Sequence, residues 1–138
     1  MITKNIALAG HAGTGKTTLM EALLYQGGQI ERMGSVAAGN TVSDYTAEEM
    51  KRHSSVYTAT GHILQNGQKI NLLDTPGMFD FAGSMVQGIS AADCVLITVS
   101  GKSGVRVGHK RRIGRQKENP GCLLSPSWTT RTPISIMC

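Results

Sequence analysis

The stretch GHAGTGKTT, residues 10–18, decides how this chain is read. Gly10, Gly15, Lys16 and Thr17 fit the spacing G-x-x-x-x-G-K-[ST], in which a glycine-rich turn aims backbone N–H groups at phosphate oxygens. The flanks are those the pattern requires. KNIALA (4–9) is a short apolar run that reads as a buried strand. From Lys16 onward Leu19, Met20, Leu23 and Leu24 recur at helical spacings of three and four, until Gly27-Gly28 stops the helix as a C-terminal cap. The helix start adds partial positive charge beside the loop. Lys16 is placed to neutralise β- and γ-phosphates, and the Thr17 hydroxyl to ligate magnesium. His11, Ala12, Gly13, Thr14 and Thr18 complete the loop. The bland alternative is an ordinary glycine-rich strand–helix turn with a surface lysine.

Working outward, residues 33–55 are polar and aperiodic and read as a long loop with one helical turn at Glu48–Arg52. Two extended segments follow, 56–64 and 68–73, and between them Asn66-Gly67 is the dipeptide that favours a type I′ hairpin turn. INLLDTPG (70–77) ends the second strand on Asp74, where a carboxylate can face a magnesium shell, and the turn leaves the Gly77 N–H to meet a γ-phosphate. Segment 82–91 reads as a helix weakened by Gly83 and Gly88, and CVLITVS (94–100) as a strand covered on both faces. Strand, helix, hairpin, helix, strand implies an α/β domain of P-loop type, its sheet mostly parallel with one antiparallel hairpin strand.

Composition divides the chain. The 138 residues carry a net charge of +5, yet residues 1–100 hold six Lys/Arg and eight Asp/Glu, whereas 101–138 hold eight Lys/Arg and one Asp/Glu. The basicity belongs to the tail, which also contains three of the four prolines and the single tryptophan. Cys94, Cys122 and Cys138 are odd in number and irregularly spaced, giving neither a disulfide framework nor a zinc pattern. No apolar run approaches a membrane span and no signal-peptide layout opens the chain, so a cytoplasmic setting without membrane contact is expected.

Residues 4–108 resemble the first part of the nucleotide-binding domain of translational GTPases, nearest to elongation factor G and its elongation-factor-G-like relatives, with ribosome-protection tetracycline-resistance proteins close behind. Beyond GHAGTGKTT and DTPG, the resemblance rests on LMEALLYQGGQIERMGSV, GNTVSDYTAEEMKR, and AADCVLITVS followed by GVRVG. It implies GTP and GDP as ligands, Mg²⁺, and the ribosome as partner, with no specific DNA. It places Ser55 where the family has a switch-loop hydroxyl completing the magnesium shell, with Asp74 and Gly77 in the second switch. Two departures stand out. Gly13 replaces an aspartate that many relatives carry, and Met78 occupies the position of the histidine that orients the attacking water in elongation factor G. A thioether has no N–H or O–H to give, so hydrolysis is expected to be slow. The catalytic residue is left unassigned.

The resemblance divides the chain into a partial GTP-binding domain, 1–108, and a basic tail, 109–138, expected to be irregular and outside the family pattern. No Asn-Lys-x-Asp or Ser-Lys-x-Asp, the family's guanine-selecting motif, occurs in the chain. The domain is therefore expected to lack its last strands and firm guanine specificity. Three readings of the tail compete: a disordered segment, an RNA-binding arm, and an out-of-frame translation product. Codon arithmetic favours the third. Trp128 is TGG and Thr129 begins AC, so the offset codon is GAC, aspartate, with lysine permitted two positions before it. On that reading the strand at 94–100 becomes an unprotected apolar edge prone to self-association. Rival functions are a ribosome-protection tetracycline-resistance-type GTPase, a stand-alone P-loop ATPase or kinase, and a non-catalytic basic RNA binder.

Overall fold

The computed structural model describes residues 2–100 and the backbone of two short strands, 121–124 and 136–137. The apolar run ahead of the glycine loop is strand β1 (Thr3–Gly10), exposed at its start and fully buried over its last four residues. It lies inside a six-stranded sheet of order β2-β3-β1-β4-β5-β6. Here β2 is Ala59–Gln65, β3 Gln68–Asp74, β4 Cys94–Thr98, β5 Gly121–Leu124 and β6 Ile136–Met137. Strand β1 runs parallel to β3 and to β4, while β2 is antiparallel to β3. The expected mixed α/β sheet, mostly parallel with an antiparallel hairpin, is the architecture observed.

Side-chain alternation along β1 builds two cores. Ile6 and Leu8 face helix α1 (Lys16–Gln26), joining Met20, Leu24, Ile63 and Leu72. Ala7 and Ala9 face the opposite side, where helix α3 (Ala82–Ser90) supplies Met85 and Ile89 against Val95. Small residues on that face of β1 let α3 approach, and burying each large side chain contributes about 1.5–3 kcal/mol. The hairpin forms as its dipeptide predicts, with Asn66 at φ 50 and Gly67 at φ 74, the left-handed pair of a type I′ turn.

Residues 33–57 hold more structure than the sequence reading gave them. Val36–Ala38 form a 3₁₀ turn, and Ala47–Arg52 form helix α2, opened by a capping box in which Thr46 and Glu49 satisfy each other's backbone N–H groups. Two expectations about the tail need correction. The strand at 94–100 is not an open edge, because β5 pairs with β4 in parallel from Val95↔Gly121 to Thr98↔Leu124. Nor is 109–138 wholly irregular, since β6 then returns antiparallel to β5. The apolar segment GCLL (121–124) supplies the backbone partner that an exposed β4 would need. The codon-offset motif around Trp128 lies outside the described residues.

Candidate nucleotide-binding site

Parallel strands deliver the site. Leu8 pairs with Asp74 of β3 and Gly10 with Thr98 of β4, so the glycine loop emerges at the C-terminal ends of neighbouring parallel strands, the crevice where open α/β sheets take ligands. The loop curls through Gly13 (φ 76) and Gly15 (φ 86), and Gly15 caps α1. Lys16 folds back over it, its Nζ donating to His11 O at 3.0 Å. The Asp-Thr-Pro-Gly turn after β3 sits directly on the loop. A Cβ built on Gly77 would lie 2.5 Å from Ala12 N and 2.6 Å from Lys16 Nζ, so only glycine permits this approach. Between the loop and residues 36–55 lies a cavity of about 220 Å³.

Behind it stands a chain of hydroxyls and carboxylates. Thr17 Oγ1 donates to Asp74 Oδ2 at 2.7 Å and lies 3.3 Å from Ser55 Oγ, which in turn donates to Asp44 Oδ1 at 2.6 Å. Asp74 is completely buried, and its second oxygen, Oδ1, has no hydrogen-bond partner; the buried hydroxyls of Ser43 and Ser54 are likewise unpaired. Burial pushes the Asp74 carboxyl up to about 6, against the pull of the Thr17 hydroxyl and the Lys16 ammonium, with the nearby Asp44 charge adding to the rise. The Ser43 hydroxyl is near enough to oppose the rise weakly, though it forms no hydrogen bond of good geometry with the carboxylate. Burial also raises Asp44, partly offset by its bond from Ser55.

Two further buried carboxylates hold the 33–57 segment against this chain. Glu21, on the same stripe of α1 as Thr17 and Leu24, accepts from the backbone N–H groups of Gly34 and Val42. Glu49 accepts from Thr46 N and Oγ1 and from the N–H groups of Val56 and Tyr57, at 2.7–3.2 Å. Burial disfavours the Glu49 charge, but those bonds outweigh it and hold its carboxyl below the usual value of 4.5. A lowered folded value means stability that is present above the unfolded value and lost as pH falls through the folded one. We therefore expect amide-exchange protection at Val56 and Tyr57 to collapse below about pH 4.5. Glu49→Gln replaces one accepting oxygen with a donor facing donors. It is expected to remove the acid dependence and to cost about 1–3 kcal/mol at neutral pH. Unchanged exchange rates in the variant would contradict this.

Of the residues singled out from sequence, Ala12, Gly13, Gly15, Lys16, Thr17, Thr18, Ser55, Gly77 and Met78 all line the cavity. Asp74 stands behind Thr17. Gly10 and Thr14 lie outside the lining, packed against β4 at Thr98. His11 turns its Nδ1 to Ala12 O at 2.9 Å. His53 is exposed yet also borders the cavity, with Nδ1 3.1 Å from Val36 O. Sequence reasoning missed Asp44, Val36 and Ser54, which also line it. Among the described residues, no group of three or more His, Cys, Asp or Glu is arranged to hold a metal, and no helix is long and apolar enough to cross a membrane.

A glycine loop gripping its own lysine, with a helix-borne threonine bonded to a strand-end aspartate, defines the class: a P-loop nucleotide-binding domain. The comparisons make it narrower. The chain belongs to the Elongation factor Tu GTP binding domain family, which it matches over residues 2–119. It is 43% identical over 102 residues, 74% of its length, to an elongation factor G-like protein of Mycobacterium tuberculosis. It is 39% identical over the same length to the mitochondrial ribosome-releasing factor 2 of Drosophila virilis. It covers 14% of either relative, about one seventh of their length. A crystal structure from Thermus thermophilus shares the fold with a TM-score of 0.79 and 44% identity, over 82% of this chain and 17% of that one. The family model and these relatives agree with the resemblance to translational GTPases that the motifs carry.

Proposed function

We propose that this chain binds a guanine nucleotide with Mg²⁺ in the cavity beneath Lys16, as the nucleotide-binding segment of an elongation-factor-G-like, ribosome-coupled GTP hydrolase. The observation that carries the reading is the Thr17–Asp74 contact beside a phosphate loop, with a wholly buried and unpartnered carboxylate oxygen. A buried carboxylate oxygen without a partner is costly unless something cationic or hydrogen-bonding meets it. The residues present fit magnesium: the Thr17 and Ser55 hydroxyls are hard oxygen donors, and Asp74 and Asp44 would act through water. When bound, the ion neutralises charge on the phosphate oxygens. The loop N–H groups and Lys16 orient the phosphates, and Gly77 brings its backbone to their far end. Met78 lines the same cavity without a group able to orient water, so hydrolysis by this chain is slow. The ribosome as partner and a cytoplasmic setting are supported by the names and kind of the relatives alone.

Titration with GTP, GDP and ATP, with and without magnesium, tests the reading. We expect a magnesium-dependent thermal stabilisation by GTP and GDP and only a small preference over ATP, because the guanine-selecting motif is missing from the sequence. Absence of any stabilisation by the three nucleotides would refute it. We further propose that residues 1–108 form the family segment and that 109–138 are read out of frame. The basic composition and the forced aspartate codon support this. Sequencing the underlying DNA tests it, and codons incompatible with the offset reading would end the idea.

A further inference from the structure

Three donors converge on one backbone carbonyl at the base of the phosphate loop. His11 O accepts from Thr14 Oγ1 at 2.8 Å and from Lys16 Nζ at 3.0 Å, with the Thr14 N–H more distant at 3.3 Å. A carbonyl oxygen offers two lone pairs, so the two shorter contacts occupy it. The Thr14 hydroxyl also lies 2.7 Å from Thr98 Oγ1. Each hydroxyl carries one proton. The Thr14 proton is committed to His11 O, so Thr98 must be the donor to Thr14. Thr98 Oγ1 also lies 3.3 Å from Ala9 O, a longer contact that yields to the short one. The relay thus has a direction, from Thr98 on β4 through Thr14 to the carbonyl that Lys16 also grips.

Packing reinforces that geometry. Thr98 is fully buried and Thr14 nearly so, and neither lines the cavity. Gly10 pairs with Thr98 across the sheet. A Cβ there would lie 2.4 Å from Thr98 Oγ1 and 2.8 Å from Thr14 Oγ1, so glycine at this position is what makes room for the hydroxyl pair. Hydrogen bonds in such a low-dielectric setting polarise one another along a chain. A carbonyl fixed in place on one side is a better anchor for an ammonium on the other.

We propose that Thr98, acting through Thr14 and the His11 carbonyl, is a positioning residue that fixes the Lys16 ammonium for phosphate binding. The proposal rests on the nucleotide reading of the cavity. A flexible lysine that is already anchored surrenders less freedom when a ligand arrives.

The test is a double-mutant cycle on the full chain, read as GTP affinity in magnesium by titration calorimetry. We expect Thr98→Val, which keeps shape and removes the hydroxyl, to weaken binding about fivefold. Thr98→Ser, which restores the donor, is expected to recover most of that loss. In a Lys16→Met background, Thr98→Val is expected to change affinity no further. Equal losses in both backgrounds would mean that Thr98 acts only through general loop stability and would overturn the proposal. So would an unchanged affinity in Thr98→Val alone. Should that variant fail to fold, Thr14→Ala, which removes the hydroxyl that links Thr98 to the His11 carbonyl, carries the same comparison. If the unaltered chain binds no nucleotide, the reading of the cavity fails and this proposal falls with it. Binding by the unaltered chain with no effect of the substitutions sinks this proposal alone.

Discussion

Lys16→Met is expected to weaken GTP and GDP binding roughly a hundredfold, while changing the unliganded melting temperature little. A hydrogen bond to a charged group contributes about 1.5–3 kcal/mol, and the ammonium would face two phosphates at once, which places the loss near the upper end. Methionine has a similar length and flexibility, so it can follow the aliphatic path of the lysine across the loop. What it cannot do is donate to His11 O, and that carbonyl keeps its bond from Thr14. Loop structure and ligand affinity are therefore separable here. The ratio of the two effects distinguishes a phosphate-binding lysine from a structural one. A variant that binds nucleotide as the unaltered chain does would show that Lys16 merely caps the loop. Calorimetric titration beside a melting curve of the unliganded protein checks both arms.

Local patterns were legible in the sequence wherever the physical cause was itself local. The strand–loop–helix around residues 10–18 follows from glycine spacing and a change of hydrophobic period. The Asn66-Gly67 turn follows from two residues able to adopt positive φ. Asp74 at the end of β3 could be read because an apolar run stops there. The parts that escaped depend on partners far along the chain. Glu21 looks like a surface charge within a helical segment, but it is buried and satisfied by backbone groups of Gly34 and Val42. Asp44 lies in a polar stretch that reads as loop and Glu49 in its one helical turn, and only the bonds they accept, from Ser55 to Asp44 and from Thr46, Val56 and Tyr57 to Glu49, give them work. Thr98 hides inside CVLITVS, where an apolar run suggested coverage and nothing pointed to its hydroxyl. β5 could not be read from periodicity because GCLL is too short to show one.

The effect with the most unusual sign is expected at Asp74. Its carboxyl is raised in the folded chain from 3.8 to about 6, chiefly by burial. A raised acid binds more protons folded than unfolded between those values, so the unliganded chain loses stability as pH climbs from about 4 to 6 and levels off above. That shift corresponds to a cost on the order of 3 kcal/mol at neutral pH as an upper bound. Asp74→Asn keeps an oxygen to accept from Thr17 Oγ1 and removes the charge. We expect the variant to melt at or above the temperature of the unaltered chain at pH 8, and to lose the decline between pH 4 and 6. At the same time it is expected to lose nearly all magnesium dependence of nucleotide binding, because the neutral amide cannot polarise an ion's water as a carboxylate does. Stability and ligand binding thus move in opposite directions from one substitution, as they must where a buried charge is kept for its ligand at the expense of the empty fold. Melting curves across pH 4–8 measure the first effect, and nucleotide titrations with and without magnesium measure the second. If Asp74→Asn lowers stability at pH 8 and leaves the magnesium effect intact, the carboxylate is a structural partner of Thr17 and the cavity is no magnesium site.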